Sequence, residues 1–181
     1  MRKVNEIFYS IQGEGYFTGT PAVFIRFSGC NLDCDFCDTE HQSGVMMSDK
    51  EIINEIIQYP ARHVVLTGGE PSLHISHEFV DRLKKNGFFV QIETNGTREL
   101  PANIDWITCS PKAGGETVIL NPHELKVVFT GQEMSQYDCF NAQVFCLQPC
   151  SGKNTEKVIE YILAHPKWRL SLQTHKLLNV R

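Results

Sequence analysis

The alternation of apolar runs with helical periods constrains this chain most. AVFIRF (22–27), HVVLTGGEP (63–71) and FFVQIETNG (88–96) read as strands, the last two running into glycine turns. Between them lies DKEIINEIIQY, with Ile52, Ile53, Ile56 and Ile57 at helical spacing behind a Ser48/Glu51 capping box. EFVDRLKKNG comes next, a helix stopped by Gly87, which suits a left-handed C-cap. This order predicts parallel strands joined by crossover helices. DWITCSPK, ELKVVF, AQVFCLQP and RLSLQ add short strands, and TEKVIEYILAH a late helix. The connections from Glu93 to Trp106 and from Cys109 to Glu124 are poor in helix, and Pro101 interrupts the first. The expectation is one α/β domain over residues 1–181, a partial (β/α)6-type barrel with about six main strands and reduced helices in its second half.

Hydrophobic residues make up 41% of the 181 and charged residues 21%, an ordinary globular balance. The net charge of -4 gives no electrostatic case for a nucleic-acid partner. The N-terminus lacks the apolar segment of a secretory signal, and no run is long and apolar enough to span a bilayer. The expected location is therefore cytoplasmic. There thiols stay reduced, so the seven cysteines point to metal or redox chemistry rather than to disulfides.

FSGCNLDCDFCDTEH carries Cys30, Cys34 and Cys37 as C-x3-C-x2-C. A structural zinc site wants four ligands. An iron–sulfur cubane held by three cysteines keeps one iron open for a small molecule. The triplet alone leaves both readings standing. In TGGEP (67–71), Gly69 permits close backbone approach and the Glu70 carboxylate can attract an ammonium, although such a stretch is often only a turn. In FFVQIE, Phe88, Val90 and Ile92 share one face while Gln91 and Glu93 share the other. With Gln148, Gln173 and His175 at or just after strand ends, this predicts a polar cleft at the carboxyl ends of the strands. Arg26 is the one charge in its apolar strand. It either pairs with a lumen carboxylate such as Glu93 or presents a fork to a substrate carboxylate. Gln12 and Glu14, beside two glycines, serve either the turn or a ligand.

The triplet, with aromatic Phe36 before its last cysteine and TGGEP after the next strand, resembles the radical S-adenosylmethionine (SAM) superfamily. EIFYSIQGEG (6–15), CDT (37–39), ETNG (93–96), SPK (110–112), LQP (147–149) and QTHK (173–176) resemble the 7-carboxy-7-deazaguanine synthase family nearly end to end. The resemblance implies a lyase that converts 6-carboxy-5,6,7,8-tetrahydropterin to 7-carboxy-7-deazaguanine with loss of ammonia, in queuosine and deazapurine biosynthesis. It implies a [4Fe-4S] cluster on Cys30, Cys34 and Cys37, with SAM on the open iron, and Mg2+ at Thr39. SAM contacts are implied for Phe36, Cys37, Asp38, Gly69, Glu70, Gly96, Ser110, Pro111, Lys112, Gln148, Pro149, Cys150 and Ser151. Substrate contacts are implied for Ile11, Gln12, Gly13, Glu14, Arg26, Thr94 and His175. The implied partners are a small pterin substrate, a second copy in a homodimer and an external flavodoxin-like electron donor, with no membrane or nucleic acid expected. No side chain is assigned a catalytic role beyond the cofactor radical.

Cys150 and Ser151 depart from the family pattern, which often has methionine or leucine and then aspartate there. Cys109, Cys139, Cys146 and Cys150 read as core or incidental thiols rather than a second cluster. A glycyl-radical activating enzyme would share C-x3-C-x2-C but has no use for QGEG, Arg26 and QTHK. A zinc-stabilised binding module is the non-enzymatic rival. The stretch 40–47 carries no clear pattern, and its place beside the cysteines suggests a lid.

Overall fold

The computed structural model describes residues 1–35, 37 and 39–181. Among these residues, nine strands form one open sheet. They are β1 (Arg2–Ile11), β2 (Pro21–Phe27), β3 (Val45–Met47), β4 (His63–Gly68), β5 (Phe89–Thr94), β6 (Trp106–Cys109), β7 (Glu124–Phe129), β8 (Val144–Pro149) and β9 (Trp168–Leu170). The order across the sheet is β3-β1-β2-β4-β5-β6-β7-β8-β9. From β2 to β9 every neighbouring pair is parallel. This is the expected partial barrel.

Two strands go beyond that expectation. β1 runs antiparallel to β2, and β3 antiparallel to β1. The stretch 40–47, expected to be a lid, thus ends as an edge strand. β1 escapes a simple alternation rule because its register shifts between Val4 and Glu6. Such a bulge flips the parity of every later residue in the strand. Val4 packs with the outer core, whereas Phe8, four residues on, joins Phe24 and Val65 inside.

Helices α1 (Asp49–Ile56), α2 (His77–Lys85) and α3 (Thr155–Ala164) cover only part of the outer face, and a single turn, α4 (Thr174–Leu177), follows β9. The capping box of α1 is present, since the Glu51 N–H donates to Ser48 Oγ at 3.3 Å and the Ser48 N–H to Glu51 Oε2 at 2.7 Å. Gly87 closes α2 at φ 82°. The Gly87 N–H reaches the Lys84 carbonyl at 2.9 Å and the Phe88 N–H the Leu83 carbonyl at 3.2 Å, a Schellman end that only a left-handed residue completes. No α-helix joins β5 to β6 or β6 to β7, in keeping with the helix-poor sequence there.

Strand parity then sorts the side chains. Outward residues Val23, Ile25, Phe27, Val64, Leu66, Val90 and Ile92 pack with Ile52, Ile56, Phe79 and Leu83 of α1 and α2. Leu125, Val127 and Leu147 form a second outer core with Val158 of α3 and with Trp168. Inward residues are split by side: Phe8, Phe24 and Val65 are apolar, while Gln91, Glu93, Thr108, Glu124, Lys126 and Gln148 are polar and buried or nearly so. The open sheet is sealed from within by two loops. Thr174 donates to the Gly13 carbonyl from both its N–H and its hydroxyl at 2.9 Å, and the Gly15 N–H donates to Ser171 Oγ at 3.0 Å.

Candidate active site

The inward faces border a cavity of about 320 Å3, within the range of small-molecule sites. One wall carries Phe8 and Phe24, stacked at 4.8 Å between ring centroids. The facing wall carries charge. Lys126 Nζ donates to Glu14 Oε2 at 2.7 Å and to Glu93 Oε2 at 2.8 Å. Glu93 Oε1 accepts from Gln12 Nε2 at 3.1 Å and from Gln91 Nε2 at 2.9 Å, and Glu14 Oε1 from Gln173 Nε2 at 2.9 Å.

This wall holds more acid than base. Burial drives Glu93 up, and Glu124 and Glu14 add to it against Lys126, so its carboxyl is raised to about 7. Burial also works against ionisation of Glu14, but Lys126 and the Gln173 amide outweigh it and hold that carboxyl below its usual range. Burial would lower Lys126, yet Glu14, Glu93 and Glu124 hold its ammonium well above the ordinary lysine value. The pair Glu14–Lys126 is thus ionised, with Glu93 beside it able to gain or lose a proton near neutrality.

At the carboxyl ends of the strands the cysteine loop closes over this cavity. Cys30, Cys34 and Cys37 all border it, as does Thr39. Phe36 and Asp38, expected to touch SAM, lie outside the described residues. Cys34 is raised, first by burial, while Lys112 opposes and Cys30, Cys37 and Asp33 add to the shift. Cys30 and Cys37 thus lie near enough to act on Cys34, which suits a centre that takes one thiolate at each of three irons. Among the described residues, no three His, Cys, Asp or Glu side chains converge on one point for a single metal ion. The glycine turn after β4 seats against the same loop. The Glu70 N–H donates to the Gly29 carbonyl at 2.9 Å, and a Cβ on Gly69 would lie 2.1 Å from that oxygen and 3.0 Å from Cys30 Cβ. Only glycine lets the two loops meet. The donor set and the cradle fit a cubane with a small chelating molecule beside it.

Of the other sequence-predicted residues, Ile11, Gln12, Gly13, Glu14, Arg26, Gly69, Thr94, Ser110, Lys112, Gln148, Pro149, Cys150, Ser151 and His175 border the cavity. Glu70, Gly96 and Pro111 are not among its lining residues. The Glu70 carboxylate, expected to attract an ammonium, is fully buried in the wall. It accepts from the Ser72 N–H at 2.9 Å, the Thr94 hydroxyl at 2.7 Å and the Asn95 N–H at 2.7 Å. It therefore ties the turn after β4 to the turn after β5. Gly96, at φ 79°, packs on Cys109 instead. Arg26 does not pair with Glu93. Its Nε donates to Glu6 Oε1 at 2.8 Å, a carboxylate that also pairs with Arg181.

Lys126 is a charged cavity residue that reading the sequence missed. In ELKVVF the charges Glu124 and Lys126 alternate with Leu125 and Val127, the same parity that placed Gln91 and Glu93 inside. Phe8 and Phe24 were missed because apolar residues facing a lumen look like core.

The sequence model of the radical SAM superfamily matches residues 24–162. A 7-carboxy-7-deazaguanine synthase from Bacteroides thetaiotaomicron is 61% identical over 181 residues, covering 100% of both chains. One from Bradyrhizobium diazoefficiens is 40% identical over 207 residues, covering 98% of each. Among solved structures, the crystal structure of QueE from Escherichia coli superposes with a TM-score of 0.81 at 35% identity, covering 94% of this chain and 93% of that one.

Proposed function

The chain belongs to the 7-carboxy-7-deazaguanine synthase family of the radical SAM superfamily, and on that premise we propose that it converts 6-carboxy-5,6,7,8-tetrahydropterin to 7-carboxy-7-deazaguanine. The reaction contracts the ring and expels ammonia, which makes the enzyme a carbon–nitrogen lyase of queuosine and deazapurine biosynthesis. The observation that carries this reading is the shared cavity: the cysteine loop opens onto the same void as an apolar wall and a charged one.

Cys30, Cys34 and Cys37 would hold a [4Fe-4S] cluster, and the turn at Gly69 with Ser110, Lys112 and 148–151 would surround SAM. When bound, these groups supply a carbon radical that abstracts hydrogen from the substrate. Everything else falls to the chain's own side chains. Phe8 and Phe24 offer an apolar wall to the fused ring. Glu14 and Glu93 accept from the N–H edge of its pyrimidine. Arg26 presents its guanidinium to the substrate carboxylate in place of Glu6. Gln12, Thr94 and His175 complete the enclosure. Thr94 does so with its backbone or methyl, because its hydroxyl is engaged by Glu70 and by the Gly96 N–H at 3.1 Å. Thr39 would offer one hard oxygen to a bound Mg2+, which would help fix the substrate in place. A single domain, a homodimer, a flavodoxin-like electron donor and a cytoplasmic setting complete the reading.

The test is an anaerobic assay of the iron-reconstituted protein with SAM, reductant and the carboxytetrahydropterin, followed by mass spectrometry. The deazapurine acid should appear, with stimulation by Mg2+ that Thr39→Val largely abolishes. A protein that cleaves SAM but leaves the pterin intact would refute the substrate.

A further inference from the structure

We propose that Gln91 and His63 are positioning residues: two directional hydrogen bonds, His63 to Gln91 and Gln91 to Glu93, fix the Glu93 carboxylate on the cavity wall. Gln91 lies two residues before Glu93 on the same face of β5 and is 1% exposed. Its amide is held at both ends. Nε2 is 2.9 Å from Glu93 Oε1 and 3.5 Å from Thr108 Oγ1, and Oε1 is 2.8 Å from His63 Nε2.

The chemistry gives each bond one direction. An ionised carboxylate only accepts, so the amide must turn its N–H toward Glu93. Its carbonyl oxygen then faces His63 and also only accepts. His63 must therefore carry a proton on Nε2. The imidazole is itself immobilised, edge-on to Phe17 at 4.7 Å and to Phe89 at 4.9 Å. The chain of bonds runs from the aromatic floor of the barrel, two layers below Glu93, up to the carboxylate. An apolar side chain like the neighbouring Val65 would fill the same layer without needing partners. The buried amide makes sense as the group that sorts donor from acceptor.

Other charges also face Glu93: Lys126 and Glu124 from β7, Glu14 from the loop after β1, and Arg26 and Lys112 across the cavity. They are common to parent and variants, and His63, which burial holds below the usual imidazole range, is neutral around pH 7, so a difference between the two reports the amide. The inference rests on the proposed function only in taking Glu93 as part of the substrate's wall. Its decisive measurement needs no substrate.

That measurement is an infrared titration of the reconstituted protein, following the carboxyl band that disappears in Glu93→Gln. In Gln91→Leu the ionised carboxylate loses a donor, and the midpoint should rise by about one pH unit, a tenfold change in the protonation constant. His63→Phe should shift it the same way by less, because the freed amide can rotate. His63→Gln, whose amide N–H can still donate to Gln91, should titrate as the parent does. With substrate, the acid limb of kcat/KM should move with the infrared midpoint while SAM cleavage without substrate is unchanged. A folded Gln91→Leu with the parental midpoint would overturn the inference, as would His63→Gln behaving like His63→Phe. If Gln91→Leu fails to fold, the two His63 variants decide alone. A parent protein that does not turn over the pterin defeats the functional reading but leaves this test intact.

Discussion

Glu70 stands beside a glycine turn at the carboxyl end of β4, where a carboxylate is easily taken for a ligand to a cofactor amine. The turn instead rotates it into the wall, where three donors already meet it. Glu70→Gln keeps the shape but sets an amide N–H against one of those donors. It should destabilise the fold by about 1–3 kcal/mol in urea unfolding. A role toward an ammonium predicts the opposite pattern, weaker SAM binding at unchanged stability. Glu93 makes a second prediction. Its folded pKa of about 7 lies above the ordinary glutamate value of 4.5. Between those values the folded chain binds more protons than the unfolded one, so this group's contribution is fully present at low pH and is lost as pH rises toward 7. Unfolding measurements at pH 5 and pH 8 should show Glu93→Gln gaining stability relative to the parent, on the order of 1–3 kcal/mol. A gap that does not change with pH would mean that Glu93 is ionised throughout. Neither behaviour was legible in the sequence, because alternation in a strand gives the facing side of Gln91 and Glu93 but says nothing of a residue past a glycine turn or of the net charge met inside.

At the scale of elements, local chemistry was most readable where it is self-contained. The capping box of α1 and the Gly87 stop of α2 need only neighbours within a few residues, and both are present. Gly87 has nothing within 4 Å of an added Cβ, so its substitution is a matter of backbone strain alone. Gly87→Ala should cost about 1–2 kcal/mol, and Gly87→Asn less, by thermal unfolding of the pair. Equal losses would point to side-chain crowding instead. β1 was the hard element. Its bulge breaks the period on which strand reading depends, and its partner β3 is a three-residue edge in a stretch without pattern. Both owe their pairing to tertiary contacts that no local window contains.

Across the whole molecule, the parallel sheet and its thinning helices were readable from the sequence, while the manner of closure was not. The barrel is completed by loops rather than by strand pairing, with Gly13 close against His175. A Cβ on Gly13 would stand 2.0 Å from the imidazole Nδ1. Gly13→Ala must therefore part the two loops. The expected outcome is intact iron loading and SAM cleavage, with kcat/KM for the pterin reduced at least about tenfold, since small misplacements of binding groups carry penalties of that size. Parental kcat/KM would show that the loops do not shape the substrate's enclosure.

The bonds that make this closure join partners 156 to 161 positions apart. Contacts of such separation form slowly, because the entropy of the whole intervening chain must be lost before any is gained. The sheet and its outer cores can assemble from nearer neighbours, so folding should reach a nearly complete sheet whose lumen is still open to water. During synthesis the glycine loop after the first strand must wait, unpartnered, until residues 171–175 have emerged. The binding cavity is then the last part of the molecule to exist, and refolding followed by ligand capture should lag behind refolding followed by β-sheet signal.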